Sequence, residues 1–156
     1  VGSEMCIRDR YYQDGVTPRK ETPMQQGKID GTVKTYFRNG KIEAEKEYKQ
    51  SVESGRERRF DSKTGEQIFE SHYIDGKKDG EEWEIFEDAS TLRSRIIRHY
   101  RNGKLDGSYR VESTRDGKPY ITIEGQYTDG EKSGQWIEHN YDNNTQTCTW
   151  HGEGGA

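Results

Sequence analysis

A five-residue step that begins and ends on a small residue recurs along this chain. It starts at Gly27, Ser51, Gly76, Gly103 and Gly130, at intervals of 24, 25, 27 and 27 residues. After each step come a short strand-like run, a turn, and a second strand-like run that usually ends on tyrosine. Self-similarity at such a period marks a stacked array, in which each unit buries its apolar side only against its neighbours. Function is therefore to be sought on a surface before a pocket.

Composition alone points elsewhere. With 27% hydrophobic and 35% charged residues, the 156-residue chain sits near the region where segments bury too little apolar area to offset ordering entropy. Its ten Tyr, four Phe and three Trp nevertheless fall mostly at recurring points of the repeat, and aromatics bring large area per residue. A thin, elongated domain is expected, not a globule with a thick core. A net charge of −4 provides no steering field toward nucleic acid or an anionic membrane. Cys6 and Cys148 stand near opposite ends, so no disulfide framework follows and neither thiol belongs to a metal-type pair. No apolar run approaches the ~20 residues that span a bilayer.

Turn chemistry carries the fold class. Asp-Gly or Asn-Gly occurs at Asp14-Gly15, Asp30-Gly31, Asn39-Gly40, Asp75-Gly76, Asp79-Gly80, Asn102-Gly103, Asp106-Gly107, Asp116-Gly117 and Asp129-Gly130. Such pairs tolerate positive φ and signal tight hairpins, so the strands should be short and antiparallel. A two-residue Asn39-Gly40 turn would set Phe37 opposite Ile42, Thr35 opposite Ala44, Lys34 opposite Glu45 and Tyr48 opposite Gly31. A three-residue Lys63-Thr64-Gly65 loop would set Phe60 opposite Ile68, Arg58 opposite Glu70 and Tyr73 opposite Gly55. An Arg115-Asp116-Gly117 loop would pair Val111 with Ile121 and Tyr109 with Ile123, and a bulge would then bring Tyr127 into line. The third repeat is the most irregular, with a polar turn around Asp88-Ala89-Ser90 and no glycine in it. The repeat-defining positions are thus Gly31, Gly55, Gly80, Gly107 and Gly134 with Tyr48, Tyr73, Tyr100 and Tyr127, and each tyrosine ring is expected to lie over a glycine of the neighbouring strand. One side should carry the aromatic and aliphatic stripe, and the other the charges, as in Glu43, Glu45 and Glu47 against Ile42, Ala44 and Tyr48.

Gly27-Lys28-Ile29-Asp30-Gly31, followed by Tyr36-Phe37-Arg38-Asn39-Gly40-Lys41 and Tyr48, and again Gly103-Lys104-Leu105-Asp106-Gly107, resemble the MORN-repeat variant found in tandem in bacterial proteins, often grouped as YwqK-like antitoxin components. The resemblance spans roughly Tyr11 to Tyr141. It implies an all-β, single-layer antiparallel meander of about five tandem hairpins, twisted or curled, and an antitoxin role without catalytic residues. Ser51 departs from the pattern at the first glycine of its step, and Asn143-Asn144 stands where a turn glycine is expected. The array proper is read over 27–142, after a partial repeat over 11–26 and before a terminal strand and Gly-rich tail over 143–156. Residues 1–10 resemble a translated sequencing-adapter sequence and are set apart from the repeats. The native start and any export signal are therefore not legible, and the cytoplasm is the default compartment.

Catalytic and cofactor signatures are absent from the sequence. His72, His99, His139 and His151 have no metal-ligand spacing, and strand histidines in solvent are their plain reading. Cys148 has only His151 nearby and reads as an idle or buried thiol. The strip Arg93, Arg95, Arg98 and Arg101, with His99 and Tyr100 interleaved, could hold phosphates, but Glu81, Glu82, Glu84, Glu87 and Asp88 can neutralise it within the same repeat. Trp83, Tyr109 and Trp136 follow the second glycine of successive steps by three, two and two residues. They are either the thin core or a partner-binding groove, since Trp and Tyr are enriched where proteins meet. The expected function is a non-catalytic scaffold whose partner is another protein. A surface module for lipid head groups or glycan is the alternative.

Overall fold

A computed structural model describes residues 5–87 and 92–152. The protein is all-β, with fourteen strands and no helix among the described residues. They are β1 (Met5–Tyr11), β2 (Pro18–Gln25), β3 (Lys28–Ile29), β4 (Gly31–Tyr36), β5 (Ile42–Lys49), β6 (Val52–Phe60), β7 (Gln67–Ile74), β8 (Lys77–Lys78), β9 (Gly80–Glu87), β10 (Arg93–Arg101), β11 (Lys104–Arg115), β12 (Lys118–Thr128), β13 (Glu131–Asn140) and β14 (Thr145–His151). The chain divides into two compact units, 1–77 and 78–156. In the first, the strands follow chain order as an open antiparallel meander, β1-β2-β4-β5-β6-β7, with β3 also on β2. The second is a meander of the same kind, β9-β10-β11-β12-β13-β14. The expected turn at Asp88-Ala89-Ser90 and the tail over 153–156 lie outside the described residues.

The inner registers are those that the glycine spacing predicts. Tyr48 faces Gly31, Tyr73 faces Gly55, Tyr100 faces Gly80 and Tyr127 faces Gly107. Near the loops they shift. Ile42 pairs with Tyr36 instead of Phe37, because Phe37 N–H bonds the Lys41 carbonyl (2.9 Å) and closes a three-residue loop with Gly40 at φ 80°. Phe60 pairs with Gln67 instead of Ile68, around a loop closed by Asp61 N–H on Glu66 O (2.8 Å). Asp116 and Gly117, at φ 52° and 75°, form a two-residue turn, so Val111 meets Ile123 and Tyr109 meets Gly125. The bulge expected in this hairpin falls between Val111 and Glu112. Residues 12–17 repeat the 37–41 turn, with Gly15 N–H on Tyr12 O as Gly40 N–H is on Phe37 O, both at 2.9 Å. Ahead of them, β1 pairs with β2 but every residue in it is exposed.

The two ends of each five-residue step, glycines except at Ser51, are unlike. The first closes a tight turn: Gln26-Gly27, Gln50-Ser51, Asp75-Gly76, Asn102-Gly103 and Asp129-Gly130 all have positive φ at both residues, the condition for a mirror-image hairpin turn. The second is not in a hairpin turn at all, which corrects the reading of Asp30-Gly31, Asp79-Gly80 and Asp106-Gly107. Gly31, Gly55, Gly80 and Gly107 have φ of 113°, 107°, 104° and 115°; Gly31 and Gly80 begin a strand, and Gly55 and Gly107 are the fourth residues of theirs. The aspartate before this glycine accepts the N–H of the next tight turn: Asp30 from Gln50 (3.3 Å), Asp79 from Asn102 (3.0 Å), Asp106 from Asp129 (3.3 Å). One residue later in those turns, Ser51, Gly103 and Gly130 donate to the carbonyls of Ile29, Lys78 and Leu105, at 2.7, 2.7 and 2.8 Å. Successive turns are thus stitched within each unit.

Ser51 alone among these turn glycine positions carries a side chain, at φ 67°. Its hydroxyl accepts the Ile29 N–H at 2.9 Å. The left-handed region costs a non-glycine residue roughly 1 kcal/mol, and one hydrogen bond contributes about as much. Ser51→Gly is therefore expected to leave the urea midpoint nearly unchanged. Ser51→Ala keeps the strain and loses the bond, and should lower stability by about 1 kcal/mol; equal stability of the two variants would dismiss the role of the hydroxyl.

Candidate protein-binding surface

Cross-strand pairing assigns every side chain to one of two sides, because neighbours in register share a side and successive residues along a strand do not. In the second unit one row runs Glu82, Arg98, Tyr109, Gly125, Trp136 and Thr149. Its side also holds the buried Ser94, Val111 and Ser113. In the first unit the corresponding row is Val33, Lys46, Glu57 and Ser71, with buried Phe69 beside it. The position two residues after the second glycine thus falls in this row in each repeat, filled in turn by Val33, Glu57, Glu82, Tyr109 and Trp136; all are buried except Tyr109, which is half-buried.

At two of the four pairs the tyrosine ring does not lie over its glycine. At Gly31 and Gly107 the space a Cβ would take is bounded by Pro23 and His99, each at 3.2 Å, with no tyrosine atom within 4 Å. Tyr73 donates its hydroxyl to Glu57 (3.1 Å), Tyr100 hydrogen-bonds Glu82, and the Tyr127 ring stands edge-on to Tyr109 at 5.7 Å. An aromatic ring does lie over a glycine, but elsewhere: Trp136 covers Gly125.

Two of the inner positions are carboxylates, which the expected division into an apolar and a charged side does not contain. Glu57, 6% exposed, takes Lys46 at 3.1 Å and Arg59 at 2.7 Å. Glu82, fully buried, takes Arg98 Nε at 2.7 Å and Lys78. A signal for both was available in the sequence: aligning the repeats on their second glycine puts these glutamates in the same column as Val33 and Trp136. Burial pushes the Glu57 carboxyl toward protonation, yet the bonds from Arg59 and Lys46 outweigh it and hold its pKa below the ordinary 4.5. A carboxylate with a depressed folded-state pKa contributes stability above the unfolded pKa, and that contribution disappears as pH falls through the folded value. Chemical unfolding between about pH 6 and about pH 3 should show this loss, with a shallower slope in Glu57→Gln. Tyr73, pushed up to about 12 by burial and the Glu57 charge, keeps its proton throughout that window.

Of the aromatic candidates, Tyr109 and Trp136 come together, 5.3 Å between ring centroids, with Tyr127 at 5.2 Å from Trp136 and Lys132 Nζ 4.1 Å above it. Trp136 is only 5% exposed, while Tyr109 is half-buried. Trp83 is on the opposite side, as its offset of three residues requires against their two. There it faces Ile97, beside the Ile85–Arg95 pair. The Arg95 guanidinium lies over its indole at 4.6 Å, and the buried Arg95 Nε has no acceptor. Trp83, Ile85, Arg95 and Ile97 are all half-buried.

The rest of the arginine strip is paired within the sheet. Arg98 bonds Glu82 and Glu84, His99 lies 3.5 Å from Glu81, and Arg101 lies 3.3 Å from Asp106. Asp88 lies outside the described residues. His139 meets Glu124 at 3.3 Å, and both cysteines are exposed. Among the described residues no three His, Cys, Asp or Glu side chains converge where a metal could sit. A polar cleft of about 740 Å³ opens by the β11–β12 and β13–β14 loops, where the Tyr120 and Tyr141 rings are 4.7 Å apart and Arg115 pairs with Asp142. No protein-family model matches the chain, and no curated protein matches it.

Proposed function

We propose that this chain is a non-catalytic repeat scaffold that binds another protein through the Trp83–Arg95 side of its second unit. The observation that carries the reading is the pair itself. A tryptophan and an arginine are stacked at 4.6 Å between Ile85 and Ile97, with one guanidinium donor left without an acceptor. Trp and Arg are the residues that most often dominate binding energy between proteins, and a half-buried pair loses little side-chain freedom on docking. The resemblance of the repeats to bacterial tandem MORN proteins supports the narrower form, an antitoxin- or immunity-like component that sequesters a partner along its strands.

The polar cleft favours a second reading, a module for glycan or lipid head groups. Tyr141 is 52% exposed there beside Tyr120, Asp116, Glu138 and Asn140. Immobilised protein should retain a stoichiometric protein from native lysate, and Trp83→Ala/Arg95→Ala should lose it while keeping the parent's circular dichroism. Retention on polysaccharide or lipid overlays alone, abolished by Tyr141→Ala, would reject the scaffold reading in favour of the second.

A further inference from the structure

We propose that β14 is a homodimer interface, at which two copies of the chain pair their β14 strands antiparallel about Cys148. In a chain with 35% charged residues, Thr145-Gln146-Thr147-Cys148-Thr149-Trp150-His151 is the one described strand without Asp, Glu, Lys or Arg. It pairs with β13 in unbroken register from Gly134–His151 to Asn140–Thr145. Among the described residues nothing pairs with its other edge. Thr145 through Trp150 are exposed, Trp150 by 56%.

Bare strand edges are normally blunted by charge, proline or a bulge. β14 has none of these devices, as an edge built to be paired would.

Its sequence identifies a second copy as the occupant. Cys148 is the midpoint of the seven residues. A two-fold axis through it sets Cys148 against Cys148 of the second copy, Thr147 against Thr149, Gln146 against Trp150 and Thr145 against His151. Small β-formers meet at the centre and no like charges face one another. Such a pairing is isologous and closes at two chains, whereas a heterologous edge contact would propagate. The interface uses none of Trp83, Ile85, Arg95 or Ile97. A monomer would therefore leave the scaffold reading standing, and loss of the lysate partner would leave the dimer standing.

Sedimentation equilibrium of the full chain under reductant should show a dimer at tens of micromolar. Opposed residues across an antiparallel pair are about 5 Å apart, so Cys148→Lys places two ammonium groups face to face and should weaken association at least tenfold with unchanged circular dichroism. Cys148→Ser, neutral and small, should still dimerise. In a Cys6→Ser background, diamide should convert the two Cys148 thiols into one intermolecular disulfide, the azo group taking up the two protons and two electrons as it is reduced to the hydrazine. Moving the thiol to the strand end, in Cys148→Ser/Thr145→Cys, should slow this cross-link. A monomer at every concentration, a dimer indifferent to Cys148→Lys, open-ended oligomers, or a foreign protein captured on β14 by an otherwise monomeric chain would each overturn the proposal.

Discussion

Replacing Trp136 with alanine is expected to lower the unfolding free energy by about 3–5 kcal/mol, the range for deleting a buried tryptophan whose neighbours collapse only in part. No helix or second sheet is present among the described residues to fill the space. The indole is 5% exposed and holds Tyr109 and Tyr127 at 5.3 and 5.2 Å. Its effect should be visible from the strand beneath as well. A Cβ on Gly125 would fall 2.3 Å from Trp136 Cδ2 and 2.4 Å from Cε2. Gly125 has no positive φ, so the cost of Gly125→Ala is steric alone. Overpacking of this kind costs roughly 1–3 kcal/mol. In a Trp136→Leu background the added methyl meets a smaller, jointed side chain, and a urea double-mutant cycle should give at least about 1 kcal/mol of favourable coupling. Strict additivity would mean that the indole moves aside at no cost, and would remove Gly125 from the account of this core.

The same cluster shows how far the sequence could be read. Glycine spacing made the antiparallel order and the Gly–Tyr registers legible, since a residue forced to positive φ announces a tight turn locally. It could not distinguish the two glycines of each step: Asp30-Gly31 and Asp75-Gly76 are the same dipeptide, and only the acceptor for the next turn's N–H separates them. The end registers, Phe37 with Ile42 and Phe60 with Ile68, failed for a related reason. A bulge at Thr35/Tyr36 or Arg59/Phe60 is set by which hydrogen bond closes the loop, and loop composition does not record it. Among the candidate binding residues, equal offsets brought Tyr109 and Trp136 together, and the odd offset sent Trp83 to the other side. That parity was legible in the sequence. The buried glutamates were marked only by their column, shared with Val33 and Trp136; which cations close over a strand carboxylate is not written in the repeat.

The inner column of the repeats therefore changes character along the chain, from Val33 through Glu57 and Glu82 to Tyr109 and Trp136. A one-layer sheet with few apolar residues can fill this position in two ways, with an apolar side chain or with a fully partnered charge. A partnered charge is cheap to keep and expensive to break. Desolvating two ions consumes most of their mutual attraction, so such a pair adds little net stability, yet removing one member strands the other.

Arg98 and Glu82 supply the test. Arg98→Ala leaves a carboxylate with no solvent exposure stripped of its guanidinium partner, and should cost about 3–5 kcal/mol. Glu82→Ala should cost less, about 2–3 kcal/mol, because Arg98 retains Glu84 at 3.0 Å and Lys78 can turn its ammonium to water. The double variant should be more stable than the sum of the two losses by at least about 1–2 kcal/mol. The deficit of Arg98→Ala relative to the parent should also narrow at acid pH, where the stranded carboxyl takes up a proton and its burial ceases to be costly. Unfolding midpoints for the four proteins at neutral and acid pH decide the matter. If Glu82→Ala proves the costlier single change, or if the Arg98→Ala deficit does not depend on pH, then Glu82 is not held as a charge, and the partnered-charge solution rests on Glu57 with Lys46 and Arg59 alone.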